Sequence, residues 1–105
     1  MSAGRYLALA CRGLEIEPDR LAGGSQDRAT SRLRYLVGAL AIERWGIRAK
    51  ELGNLLGRRP EVVSRWTARG AALRQTDHDF NSEYERLDEW VASTQMDERD
   101  RQSGL

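Results

Sequence analysis

The chain has 105 residues, 40% of them hydrophobic, and a formal net charge of +1, a size and balance that suit one small domain with a limited core. No run approaches the roughly 18 apolar residues of a membrane span, and the N-terminus lacks the long apolar core of a signal peptide. The single cysteine, Cys11, excludes an internal disulfide and reads as a small buried hydrophobe; together these features predict a cytoplasmic protein with no membrane partner.

Residues 5–14 read as a helix, with Tyr6, Leu7, Ala10, Cys11 and Leu14 on one stripe. Gly13 is unfavourable within it and predicts an early end. Glu17-Pro18-Asp19-Arg20-Leu21 reads as a short helical turn with Pro18 at its first position, and residues 22–26 read as a loop by composition. Residues 30–45 carry the strongest helical pattern, with Leu33, Leu36, Val37, Leu40, Ala41 and Trp45 recurring at helical spacing and Gly46 stopping the run. Helices follow over residues 48–56 and from Pro60 to about residue 73. The last begins near Asp77, with Thr76 and Asp79 at capping-box spacing and Phe80, Tyr84, Leu87 and Val91 on one face beside Trp90. No strand pattern or internal repeat is visible. The expected architecture is an all-α bundle of four to five helices forming one domain over residues 1–95, with a frayed or disordered tail at 96–105.

Residues 47–69 have the spacing of a helix-turn-helix, placed at about residues 48–70. Gly53 stands where two helices must cross closely, and Gly57 where the first must end in a turn that favours positive φ. Leu52, Leu56, Val63 and Trp66 stand where the pair needs apolar contacts, and Pro60 opens the second helix, where its missing N–H costs nothing. Such a pair lays its second helix in the major groove of DNA.

Charge coincides with this motif. Residues 28–74 carry eleven positive side chains, ten of them arginine, against three carboxylates, whereas residues 75–105 carry nine carboxylates against three arginines. Arginine suits bidentate contacts to phosphate and guanine. Arg59, Glu61, Ser64, Arg65 and Arg69 lie on the second motif helix and are candidate base readers, with Glu61 also suited to stabilising the helix start. Arg28, Arg32, Arg48 and Lys50 are candidate phosphate contacts, and Arg58 in the turn joins the same surface.

The span from about Leu14 to Leu87 resembles the C-terminal DNA-binding domain of the replication initiator DnaA, of the Trp-repressor helix-turn-helix class. It resembles still more the C-terminal domain of bacterial transposases that act on repetitive extragenic palindromes. The resemblance rests on Glu17-Pro18-Asp19-Arg20-Leu21, Arg28 and Arg32, Leu40-Ala41-Ile42-Glu43-Arg44-Trp45-Gly46, Glu51-Leu52-Gly53-Asn54-Leu55-Leu56-Gly57-Arg58, Val63-Ser64-Arg65, Arg69-Gly70 and an apolar helix from near Phe80. It implies that an arginine before the long helix, Arg28 or Arg32, enters the minor groove, while the helix after the turn reads bases, which falls here on Arg59, Glu61, Val62, Ser64, Arg65 and Arg69. The initiator carries Gly-Arg-Asp-His-Thr-Thr across the turn. This chain has Arg58-Arg59-Pro60-Glu61-Val62, one residue shorter, so it is not expected to read the initiator's box, and it lacks an ATP-binding loop, so it is not expected to be an initiator. The transposases' histidine pair and tyrosine nucleophile belong to an upstream domain not seen in this sequence.

Other chemistry finds little support. His78 between Asp77 and Asp79 has no second histidine or cysteine at ligand spacing, so no metal is expected. Glu83, Glu85, Asp88 and Glu89 read as a solvated helix face rather than an acid–base pair. No catalytic residue and no cofactor is expected. The expected partner is double-stranded DNA, in the nucleoid, and the chain is expected to serve as the targeting domain of a transposase-like or initiator-like protein. One unit reads few base pairs, which leaves open a homodimer or a fusion to an upstream catalytic domain. The alternatives are a helical protein-interaction module and, more remotely, a binder of single-stranded or hairpin nucleic acid.

Overall fold

The protein is all-α in the computed structural model, which describes residues 1–103. Six helices form among them: α1 (Ala3–Leu14), α2 (Pro18–Ala22), α3 (Arg28–Trp45), α4 (Ala49–Leu56), α5 (Pro60–Thr76) and α6 (His78–Ser103). The count exceeds four to five because the turn opened by Pro18 is a helix of its own, with Leu21 fully buried.

The helix ends follow from local chemistry. Ser2 caps α1 by accepting from the Arg5 N–H at 3.1 Å. The helix runs through Gly13 and closes beyond Leu14, where the Glu15 and Ile16 N–H groups donate back to the Arg12 and Cys11 carbonyls. Gly13 therefore does not stop α1. A Cβ there would lie 2.9 Å from the Trp90 ring, so its small size lets α6 approach. Asp27 caps α3, accepting from the Thr30 N–H at 2.8 Å and the Thr30 hydroxyl at 2.9 Å, which starts the helix two residues before the sequence pattern suggests. Gly46 ends it with φ 63°. α5 continues past residue 73 to Thr76. The expected Thr76–Asp79 capping box is replaced by Asp77, which accepts from the Phe80 N–H at 3.1 Å, while the Thr76 hydroxyl donates to the Ala72 carbonyl.

α3 is the central helix. It buries Leu36, Val37, Ala39, Leu40 and Ala41 and packs most extensively on α5. The two cross closely because Gly38 meets the Trp66 Cβ and Gly70 meets Ala39 and the Tyr35 carbonyl; a Cβ at Gly70 would stand 2.6 Å from each of the latter. The Tyr6 hydroxyl crosses the core to donate to the Val37 carbonyl at 2.6 Å. α6 covers α1, α3 and α5 with Phe80, Tyr84, Leu87 and Val91, all buried.

α6 does not fray after Ser93. Residues 96–103, expected as tail, continue it, and Glu98 pairs with Arg5 and Arg12 of α1. Gly104 and Leu105 lie outside the described residues. Part of the acidity of α6 and of its capping residue Asp77 is spent inside the molecule. Asp88 accepts from the Arg44 guanidinium at 3.0 Å and the Trp45 indole at 3.1 Å, and Asp77 and Glu83 both pair with Arg32.

Candidate nucleic-acid interface

The candidate interface comprises α4, the turn at residues 57–59, and α5. Gly57 takes φ 65°, a conformation that favours glycine. The Arg58 N–H donates to the Gly53 carbonyl at 2.8 Å, and a Cβ on Gly53 would lie 2.5 Å from the Arg58 carbonyl oxygen. Gly53 thus makes room for the backbone of the turn rather than for the second helix itself. Leu52, Leu56, Val63 and Trp66 are all buried, as their spacing predicts, with Trp66 7% exposed.

This packing leaves one face of α5 in water. Besides Pro60 at its start and Gln75 and Thr76 at its end, its exposed positions are Glu61, Ser64, Arg65, Ala68, Arg69 and Ala72, a run that follows helical periodicity. Small residues between the charged ones leave the backbone of α5 approachable along the stripe. Arg59, at the N-cap, is exposed at its head. Ala68 was missed in the sequence because alanine carries no polar signal; its phase with Ser64 and Arg65 is the signal that finds it.

The eleven cations of residues 28–74 divide three ways. Arg28, Arg48, Lys50, Arg59, Arg65 and Arg69 are exposed and make no side-chain hydrogen bond or ion pair among the described residues. Arg32, Arg44 and Arg74 are bound to carboxylates. Arg32 donates to Asp77 at 2.8 Å and lies over the Phe80 ring; hydrogen bonding to Asp77 raises its pKa, and the same bond lowers that of Asp77. Of the two arginines proposed for the minor groove, only Arg28 is free of such partners.

Arg34 and Arg58 form the third group. Arg34 is 6% exposed and donates to the carbonyls of Leu21 at 3.0 Å, Gly23 at 2.7 Å and Ser25. Arg58 donates to Ala22 at 3.0 Å and also to Gly23. Arg58, expected on the binding surface, is thus occupied in tying the turn to the α2–α3 loop. Burial, and then the neighbouring Arg58 charge, lower the pKa of Arg34. Both arginines line an open cleft of about 540 Å³ between the α2–α3 loop and α5.

His78 is exposed at the first position of α6, while Asp77 is committed to Arg32 and the helix cap. No helix among the described residues is long and apolar enough to cross a membrane. No family model, curated protein or solved structure matches the chain.

Proposed function

We propose that this protein binds duplex DNA, with α5 entering the major groove and α4 lying across the backbone. The observation that carries this reading is the exposed stripe of α5 bearing Ser64, Arg65 and Arg69, together with Arg28 at the start of α3, Arg48 and Lys50 at the start of α4 and Arg59 at the cap of α5, none of which has an ion pair among the described residues. A cation without a carboxylate keeps its charge for an external anion, and six of them near one helix pair suit a polyanion. The N-terminal half of a groove-bound helix contacts base edges. Arg59 and Arg65 then take guanine O6 and N7, Ser64 a base or phosphate, and Glu61 a cytosine amino group. Arg28, Arg48 and Lys50 hold phosphates. The resemblance to the DnaA and transposase C-terminal domains supports the same assignment, as the targeting unit of a transposase-like or initiator-like protein acting in the nucleoid.

The test is fluorescence anisotropy with a random-sequence duplex at two salt concentrations, followed by selection of the preferred site. Binding that weakens steeply with salt supports the reading; a folded protein that binds no duplex at low salt refutes it. A second reading, a protein-interaction module, draws on α6, where Asp79, Glu85, Glu89 and Asp97 are exposed without ion pairs among the described residues. A stable complex with a basic protein, salt-insensitive absence of DNA binding and no effect of substitutions on α5 would favour it.

A further inference from the structure

The cleft between the α2–α3 loop and α5 is lined by Gln26, Ser31, Arg34, Arg58, Arg65 and Arg69 among others, and no carboxylate lines it. Its lining includes two guanidinium groups that share the Gly23 carbonyl as an acceptor. Like charges held this close oppose each other, and carbonyl dipoles satisfy their N–H groups without cancelling their charge. The Arg58 Nε is buried and has no hydrogen-bond partner. Asp27 is the one carboxylate whose charge bears favourably on Arg34, and it is engaged in the α3 cap by the Ser25 hydroxyl, the Thr30 N–H and the Thr30 hydroxyl. The cleft is therefore a preorganised positive site whose lining also carries three further donors: the Ser31 hydroxyl, the Gln26 amide and the Arg69 guanidinium.

We infer that this cleft takes one phosphodiester of the bound DNA strand, held by Arg69 and Ser31 with Arg34 and Arg58 as fixed positive charges behind it. The inference rests on the duplex-binding reading and adds to it a contact outside α4 and the base-reading half of α5. Arg69 lies one helical turn beyond Arg65, away from the end of α5 that reads bases, so a backbone contact suits it. The chemistry fits phosphate because a tetrahedral oxyanion accepts from several donors at once and offsets the charge of the arginine pair.

The test uses two variants. Ser31→Glu places a carboxylate in the cleft within the first turns of α3, where the helix dipole favours it, so the fold is retained. Arg69→Gln removes an exposed, unpaired charge. Each is expected to reduce the slope of log affinity against log salt by about 1 and to weaken duplex binding about tenfold, with the preferred sequence unchanged. Inorganic pyrophosphate added to the wild type is expected to shift the amide resonances of Gln26, Ser31 and Arg69, and to leave them unmoved in Ser31→Glu. Unchanged slopes in both variants, with duplex binding intact in the wild type, overturn the cleft while the DNA reading stands. Pyrophosphate shifts combined with unchanged slopes assign the cleft to a free phosphate compound and overturn the strand contact. A wild type that binds no duplex defeats the DNA reading and the inference with it.

Discussion

Replacing Arg48 and Lys50 together by glutamine separates backbone contact from base reading. Both side chains are exposed and unpaired at the start of α4, so their loss leaves the packing intact. The proposed complex has four phosphate contacts, from Arg28, Arg48, Lys50 and Arg69. At about 0.9 counterions released per phosphate, log affinity should fall with log salt at a slope of about −3.6, or about −1.8 in the double variant. Between about 50 and 200 mM salt the wild type should lose about 150-fold in affinity and the variant only about 12-fold. The two curves should converge as salt rises, and the ranking of duplex sequences should not change. Anisotropy titrations across that range, with circular dichroism to confirm the fold, provide the assay. Parallel curves would refute the placement of α4 on the backbone, because a residue that touches phosphate cannot be removed without changing the slope.

Arg65→Ala should cost about 1–3 kcal/mol on the selected site and relax preference at one base pair, and equal losses on all sequences would contradict base reading by Arg65. Gly53→Val should lower stability by about 1–3 kcal/mol, since even its Cβ would stand 2.5 Å from the Arg58 carbonyl; an unchanged thermal midpoint would contradict that close approach. Asp27 has its pKa lowered to about 2, first by the Ser25 hydroxyl and then by the Thr30 N–H. A depressed folded-state pKa stabilises the native protein above the unfolded value near 3.8, and that contribution is lost as pH falls through about 2. Asp27→Asn should keep the cap and flatten this part of the acid-unfolding profile. Cys11, raised to about 11 by burial and then by Glu17, should resist alkylation near pH 8 in the native protein and react readily once unfolded.

What could be read from the sequence divides along the range of the interactions involved. The α4–turn–α5 unit was legible because its signals are local: Gly57 for the turn, Pro60 for the helix start, and apolar residues at helical spacing. Helix caps were less so. Asp27 and Asp77 each lie three residues before the N–H they satisfy, but a nearby Thr30 and Thr76 offered competing starts. The length of α6 was not legible, because its last turns lack an apolar stripe; Glu98 instead reaches Arg5 and Arg12 on α1, more than eighty positions away. Arg34 left a faint signal. It lies in phase with Thr30, Val37 and Ala41 on the buried side of α3, a position where an arginine needs a cage of acceptors, but only the folded loop supplies the carbonyls.

Counting arginines alone would misplace the interface, since the basic middle of the chain holds three kinds. Those facing α6 or its junction with α5 find carboxylates: Arg32 binds Asp77 and Glu83, Arg44 binds Asp88, and Arg74 binds Glu43 of α3. The acidic last helix therefore cancels charge on one side of α3 without reaching the exposed stripe of α5. Arg34 and Arg58 spend their hydrogen bonds on the α2–α3 loop but keep their charge, so they act on a ligand through field rather than contact. Among the described residues, of these eleven only the remaining six offer both charge and free donors. If DNA binding followed overall basicity, neutralising Arg44 would weaken it as much as neutralising Arg48. If it follows partnership, Arg44→Gln should leave the salt slope unchanged while Arg48→Gln lowers it by about 0.9.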